Sequence, residues 1–157
     1  MKKFQKISLT LFRVSLGWMF FYAGISKVLD PEWTSQGYLE NATDSTGFYV
    51  WMANSSFLPA IDFMNEWGLT LLGVSLILGL FVRLSGVLGI LLMMLYYLAL
   101  GFPYPNEHAL IVDEHIIYSF ALLFLVAIQA GRVYGLDAWC GKLPICKRFP
   151  KLRNLLG

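Results

Sequence analysis

Charge is scarce in this chain of 157 residues: only 14% of them are charged, against about 25% in an average soluble domain. That scarcity excludes a disordered chain and a basic nucleic-acid-binding domain, and it argues against an ordinary soluble enzyme. Two cysteines are too few for a disulfide scaffold. Cys140 and Cys146 lie in a basic stretch expected in a reducing compartment, where they remain thiols. Two histidines, His108 and His115, fall near the same edge and do not suit a haem held between helices, and there is no C-x-x-C, P-loop or G-x-G-x-x-G. Neither a metal nor haem is expected. Alternating strand patterns are missing too, which sets aside a membrane β-barrel.

What is present is apolar: 57% of residues, with a mean hydropathy of +0.61. Four apolar segments stand out, at about 9–28, 61–82, 84–102 and 111–130. Each approaches the roughly 20 residues that a helix needs to cross a bilayer core. In lipid the backbone must satisfy its own hydrogen bonds, so the segments should be helices. The expectation is an all-α membrane protein, a single domain built as a four-helix transmembrane bundle. The opening Met1–Lys6 imitates a signal peptide. Arg13 interrupts the apolar run that follows, however, and no A-x-A site comes after it, so a retained first helix is expected.

Basic residues are distributed unevenly. Lys2, Lys3 and Lys6 precede the first segment, Arg83 sits between the second and third, and Arg132, Lys142, Lys147, Arg148, Lys151 and Arg153 follow the fourth. No Lys or Arg occurs between Val28 and Val82, or between Phe102 and Ile111. Basic residues are retained on the cytoplasmic side. Both termini are therefore expected in the cytoplasm of a plasma-membrane protein, with 131–157 as a basic tail attracted to anionic lipid. The long loop between the first two segments is expected outside. It carries Trp33, Tyr38, Phe48, Tyr49, Trp51 and Phe57, and the stretch Gly47–Phe57 suits a short interfacial helix. Asn41 and Asn54 head glycosylation-like triplets in this loop.

Polar residues at membrane depth carry what chemistry there is. Arg13, Gly17, Phe20, Gly24 and Lys27 share one stripe of the first helix. Two readings are open for Arg13 and Lys27: snorkelling to opposite interfaces, or facing the bundle interior to bind an anion or polar head group. On the outer side Lys27, Glu66 and His115 reach similar depth at three helix ends. They are the candidate catalytic residues of an outer-leaflet pocket, where a carboxylate and an imidazole can exchange protons with a quinone. Tyr96, Tyr97 and Tyr104 stand where they can line it, and Glu114 and Tyr118 share a face of the fourth helix. Arg13, Tyr96, Tyr97, Glu114 and Tyr118 are the candidate quinone-binding residues. Plain packing of the aromatics, and helix-dipole roles for the carboxylates, are the competing readings.

The run Asp113-Glu114-His115-Ile116-Ile117-Tyr118, followed by Gly131-Arg132-x-x-Gly135-Leu136-Asp137-x-Trp139, resembles the DoxD branch of the DoxX/DoxD membrane proteins. Further resemblance lies in Arg13-x-x-x-Gly17 with Ala23-Gly24-x-x-Lys27, and in Gly37-Tyr38-Leu39-x-Asn41-Ala42-Thr43. It continues in Glu66-Trp67-Gly68 leading to Gly79-Leu80-Phe81-x-Arg83. The resemblance spans about residues 10–140. It implies four membrane helices with both ends cytoplasmic. It also implies the membrane subunit of a thiosulfate:quinone oxidoreductase, with a membrane quinone as acceptor and a DoxA-like partner subunit. Thiosulfate is a dianion and the outer face lacks basic residues, so the partner would have to supply them. The alternative is a non-catalytic membrane scaffold, or a protein that binds a small lipid-like ligand, alone or as a homo-oligomer. No nucleic-acid partner is expected.

Overall fold

The computed structural model describes residues 1–43, 47–101 and 110–140. Tyr104, Glu107, His108, Cys146 and the basic tail beyond 140 lie outside the described residues. Among the described residues every regular element is helical: α1 (Lys3–Val28), α2 (Gln36–Glu40), α3 (Phe48–Ala53), α4 (Leu58–Leu78), α5 (Val82–Ala99), α6 (Glu114–Ala127), a 3-10 turn (Ala130–Arg132) and α7 (Leu136–Cys140).

Three of these helices, α1, α4 and α5, are long and apolar enough to cross a membrane. The fourth apolar segment is helical for only 14 residues, about 21 Å of rise, rather than over the expected 111–130. Both ends have a local cause. The Asp113 side chain accepts from Ile116 N and starts the helix there, and Gln129 in the left-handed region (φ 53°) stops it. The other boundaries shift by a few residues for similar reasons. Pro59 opens α4 in its first turn, and Gly79 (φ 65°) closes it.

Small residues set how the long helices meet. A Cβ built on Gly24 would lie 2.3 Å from Thr70 N, one on Gly73 2.3 Å from Phe21 N, and one on Gly17 2.8 Å from Leu76 Cβ. Backbones of α1 and α4 therefore touch along their length, running antiparallel. The stripe anticipated on α1 is the one buried here: Arg13, Gly17, Phe20 and Gly24. Gly86 and Gly89 of α5 serve Val126 and Leu122 of α6 in the same way. Phe20, Leu69, Leu72, Leu76, Met93, Leu122 and Leu125 fill the core between the four helices. Trp18, Tyr22, Leu71, Leu88, Leu91 and Phe120 point outward and exposed, an apolar exterior suited to lipid rather than water.

At one end of the core Arg13 is buried, 1% exposed. Its Nη1 donates to the carbonyls of Ala130 (2.5 Å) and Val133 (3.0 Å), and its Nη2 to Tyr134 (3.3 Å). Beside it the buried Asp137 accepts from Phe81 N (2.8 Å) and Val82 N (3.3 Å), while its own N–H donates to Gly79 O (2.9 Å). Asp137 thus caps the first amides of α5 from outside that helix, the role usually taken by a residue at the helix's own start. Burial pushes the Asp137 carboxyl above the ordinary aspartate range, against the pull of the two amides and of Arg13 and Arg132.

At the other end residues 29–43 and 47–57 fold back over the helices. Leu39, Tyr49, Ala53 and Ala99 form a second small core. Tyr49 OH donates to Leu95 O (2.8 Å) and Thr43 N to Ala99 O (2.9 Å). The interfacial helix expected within 47–57 is α3; it buries Tyr49 and Ala53 and exposes Phe48, Val50 and Trp51.

Two glycines of α4 should respond differently to the same change. Gly73→Ala forces a methyl into the α1 backbone and should cost about 1–3 kcal/mol. Gly68→Ala, where a Cβ would meet nothing within 4 Å, should be neutral. Thermal unfolding in detergent checks this; equal midpoints for the two variants would refute the packing described.

Candidate functional site

Lys27 ends α1 about 21 Å along the helix from Arg13, at the end covered by the folded-back segment. A cavity of about 410 Å³ opens there. Its wall includes Lys27 of α1, Trp33, Ser35 and Tyr38 of the covering segment, Asn65 of α4, Tyr96 of α5 and His115 of α6.

Tyr96 is the hub. Lys27 Nζ lies 5.9 Å from its ring centroid and 4.5 Å from that of Trp33, a cation held against two aromatic faces. The His115 ring meets Tyr96 edge-on at 5.6 Å, and the Tyr38 ring does so at 5.9 Å. The Tyr96 hydroxyl donates to Asn65 Oδ1, while Tyr38 OH donates to Tyr96 O (3.0 Å). His115 Nδ1 is 2.5 Å from Asp113 Oδ2.

At Thr34 and Ser35 the covering segment is pinned by one carboxylate. Asp62 accepts from Thr34 Oγ1 (2.9 Å), Ser35 N (2.8 Å) and Ser35 Oγ (2.5 Å). This holds Trp33 over Lys27. On the opposite wall the apolar lining residues Met64 of α4 and Leu95 of α5 are 69% and 50% exposed.

Of the residues singled out from sequence, the structure brings Lys27, Tyr96 and His115 to one cavity. Glu66 is half-buried on α4, close enough to act electrostatically on Lys27, but it does not line the wall. Tyr97 faces elsewhere, donating to Ile111 O (2.8 Å). Tyr118 packs edge-on against Phe20 at 5.8 Å, and Glu114 is exposed beside it. Arg13 lies at the far end, with its guanidinium engaged by main-chain carbonyls. Asn65 and Asp113 were missed, as was the roofing role of Trp33. Asn65 offered a weak signal, an amide beside Glu66 in an apolar helix; Asp113 stands in the sequence as an ionisable residue at the start of the fourth helix, with nothing to mark it as a partner of His115. Among the described residues no group of three or more His, Cys, Asp or Glu is placed to hold a metal ion.

Three long apolar helices with lipid-facing exteriors define a multi-pass helical membrane protein. The DoxX family model matches residues 8–101, more than half of the chain, and the protein belongs to the DoxX family. No curated protein and no solved structure matches it. The matched segment carries Lys27, Trp33, Asn65 and Tyr96, and ends before Asp113 and His115.

Asp62→Ala should loosen the segment that carries Trp33. Amide exchange at Ser35 should accelerate by at least about tenfold, corresponding to about 1.4 kcal/mol. Unchanged exchange at Ser35 would show that Asp62 does not hold this segment.

Proposed function

We propose that the cavity around Tyr96 binds the head group of a membrane quinone, and that the chain is a DoxD-type subunit passing electrons from a sulfur compound to it. The observation that carries this is one cavity whose wall bears Lys27, Tyr96 and His115 together with the exposed apolar residues Met64 and Leu95. A quinone presents two acceptor oxygens, a flat ring and an isoprenoid tail. Lys27 and His115 supply donors, Trp33, Tyr38 and Tyr96 supply ring faces, and the tail would leave past the exposed apolar residues Met64 and Leu95 into lipid. Oxidation of two thiosulfates to tetrathionate releases two electrons, and the quinone takes these with two protons to become the quinol. Titratable groups must therefore reach the head group, and the reading assigns this to His115 and Lys27, with Glu66 acting electrostatically on Lys27. The donor is a dianion, and its attraction falls to a DoxA-like partner that carries the basic residues missing from residues 29–81. The second reading, a scaffold or carrier for a lipid-like ligand, draws on the same cavity without turnover.

The topology belongs to the same proposal. With α6 and its flanking turns as a fourth span in a transmembrane bundle, both termini face the cytoplasm of the plasma membrane, because the basic residues cluster at the Arg13 end and beyond 131. A reporter fused at Asn54 should then signal from the outer side and one at the C-terminus from the cytoplasm; a cytoplasmic signal at Asn54 would refute this orientation.

An azido-quinone photoprobe in proteoliposomes should label peptides containing Trp33 or Tyr96, and Leu95→Trp should remove that labelling by crowding the cavity. In membranes containing the partner subunit, His115→Ala should slow donor-dependent quinone reduction by about 10²-fold or more, and Glu66→Gln should slow it less. Labelling without turnover in the wild type would favour the carrier reading; no labelling at these peptides would remove the site.

A further inference from the structure

The pairing of Asp113 with His115 assigns a specific role to a residue that otherwise reads as a helix cap. We propose that Asp113 is a positioning residue that fixes His115 with its proton on Nδ1, leaving Nε2 as the atom that exchanges a proton with the occupant of the cavity. This rests on the quinone reading for its chemistry, although the tautomer itself does not.

Both oxygens of Asp113 are committed. Oδ1 accepts from Ile116 N at 3.1 Å, and Oδ2 is 2.5 Å from His115 Nδ1. The side chain is 4% exposed against 16% for His115. The main chain of Asp113 is extended (φ −104°, ψ −174°), as a capping residue requires. An ionised carboxylate only accepts, so the nitrogen facing it must carry the hydrogen. Edge-on contact with Tyr96 restrains the ring from another side. His115 lines the cavity. With Nδ1 engaged, Nε2 is the ring nitrogen available to a bound group. The charged and titratable groups around it are Lys27 from α1, Glu66 from α4 acting on Lys27, Tyr96 from α5, and Asp113 and Glu114 from the start of α6.

With two electrons arriving from the sulfur donor, protonated His115 gives the Nε2 proton to a quinone carbonyl oxygen. The N–H bond breaks and an O–H bond forms. The electron pair stays on Nε2, and the neutral ring keeps its Nδ1 proton toward Asp113. Nε2 takes up a proton from the aqueous phase, and a second transfer to the other carbonyl oxygen completes the quinol.

Asp113→Asn separates this role from capping. Asn caps a helix about as well as Asp. With its oxygen still accepting from Ile116 N, its amide NH₂ takes the place of Oδ2 and donates toward Nδ1. That arrangement demands the opposite tautomer, with the proton on Nε2. The test is ¹⁵N NMR of histidine-labelled full-length protein in a His108→Gln background, where His115 is the single histidine. Neutral His115 should show a protonated Nδ1 and an unprotonated Nε2, and Asp113→Asn should exchange the two signals while helix content and thermal midpoint hold. In membranes with the partner subunit, Asp113→Asn should lower kcat by about 10²-fold or more with KM within about twofold. A proton on Nε2 in the starting protein, or a tautomer unmoved by Asp113→Asn, would overturn the proposal, as would unchanged kcat. If the starting protein reduces no quinone, the functional reading fails, and the NMR result alone decides whether Asp113 positions His115.

Discussion

A guanidinium enclosed within an apolar helix must find its acceptors inside the protein, because lipid offers none and an unpaired buried charge is far too costly to keep. Arg13 finds them in the carbonyls of Ala130, Val133 and Tyr134, where the chain leaves α6 and turns through the 3-10 segment. Ala130 O also accepts from Val133 N (3.1 Å) and Val133 O from Thr10 Oγ1 (3.5 Å), so the guanidinium joins a stretch that already carries its own hydrogen bonds. Asp137, next along the chain, does the converse for the first amides of α5 and ties them to the end of α4. One cation and one anion thus join α1, the α4–α5 turn and the stretch after α6. Room for them comes from glycine: a Cβ on Gly131 would sit 1.9 Å from Asp137 Oδ2, and one on Gly135 2.9 Å from Arg13 Nη1.

That anchored end allows the opposite end to be different in kind. Close backbone contact at Gly17, Gly24 and Gly73 sets α1 and α4 rigidly together, and the same packing carries Lys27 to the rim. There the side chains are large, aromatic and less completely packed, and a cavity remains. Its cover is held by hydrogen bonds to Asp62 and by a small satellite core, not by the main one. Segments secured in this way belong to the low-stability part of a structure, from which ligand-binding regions are drawn.

The polar equipment of the cavity is sparse and mutually arranged. Lys27, Asn65, Tyr38 and His115 each touch Tyr96, so the ring that forms part of the wall also orients the groups around it. Few polar atoms set in an apolar wall suit a ligand that arrives through lipid, since each buried polar group must be matched by its occupant or by a neighbour. Tyr96 takes Asn65, and Asp113 takes one nitrogen of His115, which leaves Lys27 and the second imidazole nitrogen to face whatever enters.

The amino-acid sequence by itself determined the class of this protein and the faces of its helices. Composition specifies a membrane solvent, segment length specifies helices, and the spacing of Arg13, Gly17, Phe20 and Gly24 specifies which side of α1 is buried, because a period of 3.6 residues is a local property. That Lys27 and His115 lie at the same end of the long helices was legible from their places at the ends of the apolar segments. Only the tertiary structure decided what those groups touch. Arg13 meets carbonyls more than a hundred residues away, Asp137 caps a helix to which it does not belong, and Tyr96 rather than Tyr97 or Tyr118 faces the cavity. On a helix one residue further along is a rotation of about 100°, and whether that turns a tyrosine to a core, a loop or a cavity depends on neighbours that sequence spacing does not name. Asn65 and Asp113 stayed hidden on the same physical grounds: an amide and a helix cap acquire a role only when a distant chain segment places Tyr96 and the cavity beside them.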